Sequence, residues 1–192
     1  FIQSFEYGNL QALRTMISTP LVFLMEAAHR QPYDFVLAGD PRTYGDLTRP
    51  EELAKIAKFA NGIGPYKRLI VPQNADKSLA APTTLVADAH KAGLVVHPYT
   101  FRNEPVFLAP DYKNDPLQEY SQFFKLGVDG LFSDFADTAV KARELYLQGK
   151  TRFHTHKLTS LPSLHYIRFS NMPDWNGACS LVLINCKKSV HA

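Results

Sequence analysis

The side chains able to do chemistry in this sequence stand where short apolar runs give way to loops. Gln3 and Phe5 alternate along Phe1-Ile2-Gln3-Ser4-Phe5, so they share one face if that run is a strand. Gln3 either serves a site at the strand end or caps a turn, and Phe5 either lines that site or joins the core. His97 and Tyr99 share a face in the same way within Leu94–Tyr99. A lone strand histidine such as His97 reads most simply as a satisfied core residue, with a site role as the rival reading. Arg102 follows that run, and its planar guanidinium suits a phosphate, against the plainer reading of a surface arginine. Lys67 follows Gly62-Ile63-Gly64-Pro65 and is a weaker phosphate candidate. Ser133-Asp134 closes Val128–Phe132, where Asp134 either serves a site or caps the next helix. His90 lies in a helical run and reads as a surface or packing residue.

Near the C-terminus, His154, His156, Cys179 and Cys186 are metal-ligand types, but structural zinc sites show closely spaced cysteine pairs, and none is present. Basic residues there lie among Tyr166, Phe169 and Trp175. They form neither a stacking motif nor a dense basic run, so no nucleic-acid partner is expected.

These side chains need elements to hold them. Strands are expected at Phe1–Phe5, Leu21–Glu26, Arg68–Val71, Leu94–Tyr99 and Val128–Phe132, a count of four or five. Helices are expected at Asn9–Ser18, from Arg49-Pro50-Glu51-Glu52 onward, at Thr83–Ala92, at Pro116–Leu126 and at Thr138–Leu147. Pro near a first helical turn with acids behind it suits a helix start, and Gly93, Gly127 and Gly149 suit helix ends. Gly62 and Gly64 read as turn residues, and 29–50 as a loop. Strands alternating with helices argue for a parallel α/β sheet, whose sites lie at the C-terminal strand ends.

The 192 residues carry 21 Lys+Arg against 18 Asp+Glu, a formal charge of +3. Hydrophobic content of 45% and charged content of 20% exclude wholesale disorder. The chain is shorter than the roughly 250 residues of a typical complete (β/α)₈ barrel. No apolar run approaches the ~20 residues of a membrane-spanning helix, so no transmembrane segment is expected. Residues 151–192 hold five basic residues and one acid, leaving 16 basic and 17 acidic residues, a balance of −1, for 1–150. The basic pI therefore belongs to one end and is weak support for a nucleic-acid partner. The chain opens at Phe1 in strand-like sequence with no signal-peptide pattern, and is expected to be part of a longer or processed protein.

Four pieces in order carry a resemblance: Phe1-Ile2-Gln3-Ser4-Phe5-Glu6, Gly62-Ile63-Gly64-Pro65, Val96-His97-Pro98-Tyr99-Thr100-Phe101-Arg102, and Gly127-Val128-Asp129-Gly130-Leu131-Phe132-Ser133-Asp134. Together they resemble the glycerophosphodiester phosphodiesterase family, in its long periplasmic-type and plant-type branch, over about residues 1–148. The resemblance implies the C-terminal half of a TIM (β/α)₈ barrel of the phospholipase-C-like phosphodiesterase type, strands five to eight, within 1–150. Residues 151–192 are expected to be a tail foreign to the family, irregular and disordered.

The family hydrolyses glycerophosphodiesters to glycerol 3-phosphate and an alcohol. It uses a divalent metal, Ca²⁺ or Mg²⁺, on carboxylates of its first half, and two histidines as general base and acid. The motifs expected for these are a His-Arg pair on the first strand, a Glu-x-Asp pair after the second, a second His and a Glu on the fourth. None is found in this chain, and Glu26 and Glu51-Glu52 belong to no such motif. Without convergent carboxylates and groups of near-neutral pKa, metal-assisted hydrolysis has no machinery, so the isolated chain is expected to be inactive. No catalytic residue and no metal ligand is assigned.

The resemblance makes Gln3, Phe5, Tyr99 and Arg102 the substrate-binding candidates. Tyr99 stands where relatives pack an aromatic ring on the glycerol side. The rival readings are a truncated or pseudo-enzyme chain that binds a partner through open strand edges, and a different barrel enzyme with a phosphate site in its last strands. The family leans periplasmic or secreted; the compartment and any partner protein are otherwise open.

Overall fold

The structure is a computed structural model that describes residues 1–152 and 182–185. Its spine is a run of short parallel strands. Strands β1 (Ile2–Ser4), β2 (Leu21–Met25), β3 (Gly62–Pro65) and β4 (Val95–Val96) form one sheet in that order. The register pairs Gln3 with Val22, Val22 with Gly62 and Gly62 with Val95. Strand β5 (Gly130–Ser133) continues beside the extension of β4. There the Phe132 amide donates to Pro98 O at 2.9 Å, and the Phe101 amide to Phe132 O at 2.9 Å. The parallel run thus holds five strands, within the four or five expected.

Helices cover one face. They are α1 (Tyr7–Met16), α2 (Tyr33–Ala38), α3 (Pro50–Ile56), α4 (Leu85–Lys91), α5 (Pro116–Leu126) and α6 (Ala136–Arg152). Alternation sends Phe23, Ile63, Val96 and Leu131 toward them, into one core with Leu10, Ile56, Ala89, Phe123 and Phe124. Phe101 stacks on Tyr120 at 5.0 Å and meets Phe123 edge-on at 4.9 Å, which fastens α5 to the strand behind it. Asp115 caps α5 by accepting from the Leu117 amide, and Gly127 ends it in the left-handed region at φ 92°.

Two expectations fail for a shared reason. Gly62-Ile63-Gly64-Pro65 is a strand, and the strand expected at Arg68–Val71 is a 3-10 turn, Lys67–Leu69. The glycines supply close approach, not turn geometry: a Cβ on Gly62 would lie 2.8 Å from Val95 O, and one on Gly64 2.5 Å from Leu24 Cδ2. The stretch 29–50 also holds α2 and a 3-10 turn at Asp46–Thr48, too short to show a helical period.

Strand β6 (Val182–Asn185) pairs antiparallel with β5, from Gly130 with Asn185 to Ser133 with Val182. One of the two open edges is therefore covered, and β1 remains an outer edge among the described residues. The expected disorder of 151–192 falls outside the described residues except for the end of α6 and β6, as do His154, His156, Cys179 and Cys186. No helix among the described residues is long and apolar enough to cross a membrane.

Candidate functional site

The helix-free face of the sheet is concave. In a flat sheet β1 and β4 would stand about 14 Å apart, yet the rings of Phe5 and Tyr99 meet edge-on at 6.0 Å between centroids. Gly62 and Gly64 carry no side chain on this face, and Val95 and Leu24 from the flanking strands fill the space beside them. Alternation puts Gln3 and Phe5, Val22 and Leu24, Gly62 and Gly64, and Val95 and His97 on this face. Continued past the strand ends, it adds Glu26, Tyr66 and Tyr99 at the C-terminal rim.

The rim has a fixed aromatic part. Tyr66 and Tyr99 rings lie 6.2 Å apart, and Phe5 meets Tyr99 edge-on. The Tyr99 hydroxyl donates to Met25 O at 3.0 Å, and the Tyr44 hydroxyl to Phe5 O at 2.8 Å. Burial, with the Glu26 charge next, holds the Tyr99 phenol well above its usual range, so this hydroxyl is a permanent donor. Phe5 is 41% exposed, while Tyr66 and Tyr99 are half-buried.

One layer down, His97 is 6% exposed and its ring meets Phe1 edge-on at 5.4 Å. Burial pushes the imidazole down to about 4, against the opposing pull of Asp129, so it is neutral at neutral pH. Its Nδ1 has no hydrogen-bond partner.

The sequence-derived candidates separate into two groups. Phe5 and Tyr99 are in contact. Gln3 is exposed on the same face as Phe5. Arg102 reaches the same rim but turns its guanidinium to acids: 2.7 Å to Glu104, 3.2 Å to Asp134, and 4.5 Å above the Phe107 ring. Arg102 in turn holds the Glu104 carboxyl below its usual range.

Lys67 is buried and ion-paired to α5, with Nζ 2.8 Å from Glu119 Oε2, while Arg68 binds the other oxygen at 3.2 Å. Burial pulls the Lys67 ammonium below its usual range, and Glu119 opposes that shift. Ser133 and His90 are structural: Ser133 Oγ meets the Tyr120 hydroxyl at 2.7 Å and accepts from the Phe135 amide. His90 Nε2 lies 2.8 Å from Asp129 Oδ2, which also accepts from the Val96 amide.

Tyr66, Glu26 and Asp134 are the rim residues that the sequence did not bring out as a set. Tyr66 follows a strand that its glycines disguised as a turn. A period-2 reading of Gly62-Ile63-Gly64-Pro65-Tyr66 is the signal that would have found it.

The donor set does not fit a hard divalent cation. Among the described residues no three His, Cys, Asp or Glu side chains converge to hold a metal ion. Glu26 is held by Arg30 at 3.2 Å, and Glu104 and Asp134 are both held by Arg102. A His-Arg dipeptide does occur, His29-Arg30, but it lies in the exposed bend after β2 and not on a strand. The rim therefore gathers three aromatic rings, partly paired carboxylates and a guanidinium.

A parallel α/β sheet that curls, with helices on one face and its polar groups at the C-terminal strand ends, is part of a (β/α)₈ barrel. The family model of the glycerophosphoryl diester phosphodiesterase family matches residues 1–138. The chain belongs to that family. It is similar to glycerophosphodiester phosphodiesterase GDPD6 of Arabidopsis thaliana, 41% identical over 147 residues, which are 76% of this chain and 38% of that protein. It is also similar to the glycerophosphodiester phosphodiesterase of Haemophilus influenzae, 26% identical over 73% of this chain and 41% of that one. A crystal structure from Silicibacter pomeroyi DSS-3, of a protein assigned to the same phosphodiesterase class, has a TM-score of 0.49 at 18% identity over 77% of this chain and 38% of that one. The chain thus spans about two-fifths of the length of these two relatives.

Proposed function

We propose that this chain supplies the C-terminal half of a glycerophosphodiester phosphodiesterase barrel. In this reading it binds the glycerophosphodiester and leaves hydrolysis to glycerol 3-phosphate and an alcohol to groups it does not carry. The observation that carries the reading is the family match over 1–138 together with a strand-end rim of aromatic and guanidinium groups in which, among the described residues, no three metal-ligand side chains converge. Phe5 and Tyr99 pack against the glycerol part, Gln3 hydrogen-bonds to it, and Arg102 meets the phosphate by exchanging one carboxylate partner for the diester. His97 is too buried and too weakly basic for proton transfer near neutral pH. The divalent metal of the whole enzyme is held outside these residues.

The test is to incubate the purified 192-residue chain with glycerophosphocholine and Ca²⁺ or Mg²⁺, following glycerol 3-phosphate release and, separately, ligand binding. Binding without release is expected. Release at a rate typical of whole enzymes of the family contradicts the reading.

A second reading, a non-catalytic interaction module, draws on the outer edge of β1 with its exposed Phe1, Ile2 and Phe5. It predicts capture of a barrel fragment with a free strand edge and no glycerophosphodiester binding.

A further inference from the structure

The two margins of the sheet are treated differently. Strands β1 to β5 form one parallel run, so β1 and β5 are its two ends. A closed (β/α)₈ barrel has no ends, because each strand lies between two parallel neighbours. Here the neighbour of β5 on its outer side is β6, and it runs in the opposite direction. Every residue of β5 is paired to it: Gly130 with Asn185, Leu131 with Ile184, Phe132 with Leu183 and Ser133 with Val182. β6 also lies well beyond residue 138, where the family match ends. A segment outside the family domain therefore occupies the edge at which a barrel adds its next strand.

The backbone shows which groups β6 covers. The Phe132 amide donates to Pro98 O and the Asp134 amide to Phe101 O, both toward the inside of the sheet. Amides alternate in direction along a strand, so those of Leu131 and Ser133 point outward to β6. Uncovered, such a row of backbone groups is a template for another strand.

Polarity decides what can add there. A strand that continues a parallel run must itself present a free edge on the matching side. Among the described residues β1 has that edge. The Ile2 amide donates to Pro20 O, so by the same alternation the Gln3 amide points outward. Phe1 and Ile2 beside it are 59% and 38% exposed. The β5 edge of one copy and the β1 edge of another thus match as the two sides of a head-to-tail contact.

We propose that β6 is an intramolecular cap, and that the β5 edge it covers is a docking site for β1 of a second copy of this chain. The cap satisfies the outward amides of β5 and interrupts the parallel run, which keeps the chain single. The inference is independent of any ligand and goes beyond the binding reading above.

The test is residue-resolved amide hydrogen exchange at low concentration, with sedimentation over a concentration series, on the intact 192-residue chain and on Ile184→Pro. Ile184 stands opposite Leu131, so proline there removes a donor to β5. In the intact chain the Leu131 and Ser133 amides are expected to be protected and the protein to sediment as a monomer. In Ile184→Pro these two amides are expected to lose protection at least about tenfold, while Phe132 and Asp134 keep theirs and the mass rises with concentration. Adding Gln3→Pro removes the outward donor of β1 and is expected to restore the monomer with both β5 amides still unprotected.

Unprotected Leu131 and Ser133 amides in the intact chain overturn the cap, and this readout needs no variant to fold. Association of the intact chain as strong as that of Ile184→Pro overturns it as well. Unprotected amides in Ile184→Pro without association, or association that survives Gln3→Pro, assign the edge to a different partner and overturn docking of β1 from a second copy.

Discussion

Lys67 offers the sharpest test of the physical account, because its sequence reading and its structural position predict different outcomes. As a phosphate ligand it would be dispensable for folding. In the structure it is 4% exposed, and its ammonium lies 2.8 Å from a Glu119 carboxylate whose side chain is 1% exposed, with Arg68 on the other oxygen at 3.2 Å. The Lys67 ammonium also sits 5.3 Å from the centre of the Phe101 ring.

Removing one partner from such a buried set leaves uncompensated charge and costs about 3–5 kcal/mol. Glu119→Gln takes from two cations the carboxylate that pairs both, so it is expected at that level, a large share of a typical domain stability of about 5–15 kcal/mol. Lys67→Met removes a charge whose burial was itself unfavourable, keeps an apolar stem beside Phe101, and leaves Glu119 with Arg68. Its cost is expected to be smaller, about 1–3 kcal/mol. Urea unfolding of both variants measures the two values and their order. The reasoning is refuted if Lys67→Met unfolds at the native midpoint while losing glycerophosphodiester binding, or if Glu119→Gln is neutral.

Three further outcomes follow from particular contacts. His97 has a native pKa of about 4, below its ordinary 6.5, so the unfolded chain takes up a proton that the native state refuses as pH falls through that window. Stability should therefore drop on acidification, and His97→Leu should remove about 2–3 kcal/mol of the difference between pH 7 and pH 4.5. Equal pH dependence in the two proteins would count against a buried neutral imidazole. Gly62→Ala drives a Cβ to 2.8 Å from the Val95 carbonyl oxygen, a backbone atom, and should cost about 1–3 kcal/mol. Gly64→Ala meets the movable end of Leu24 and should cost less, and thermal melting ranks the two. Asp115→Ala removes the cap that accepts from the Leu117 amide and should cost about 1 kcal/mol, with faster amide exchange in the first turn of α5 as its local signature.

Much of the fold was legible because it rests on local chemistry. Pro116–Leu126 has its limits marked by a capping aspartate, a first-turn proline and a terminal glycine, and the helix observed has those bounds. Leu21–Met25 is uniformly apolar, as a strand buried on both faces must be. What stayed hidden depends on contacts between strands. Gly62 and Gly64 look like turn residues until Val95 and Leu24 are seen to fill the space their missing Cβ atoms leave.

The site divides along the same line. Phe5 and Tyr99 could be placed by alternation and by resemblance, whereas the third ring, Tyr66, followed a strand that did not look like one. Arg102 was recognisable as a guanidinium at a strand end, but its engagement with Asp134 joins residues 32 positions apart and leaves no local signal. The ion pair of Lys67 left no local signal, because its partner Glu119 lies 52 residues away on a helix behind the sheet.

The central claim is that the C-terminal rim of this sheet is the face that receives a glycerophosphodiester. Amide chemical-shift mapping of the intact chain during titration with glycerophosphocholine tests it most directly. Perturbations are expected at Phe5, Glu26, Tyr66, Tyr99 and Arg102, with little change at Asn61, Leu94 and Asp129, which immediately precede β3, β4 and β5 at the opposite rim. Shifts centred on that opposite rim, or none at saturating ligand, would contradict the account.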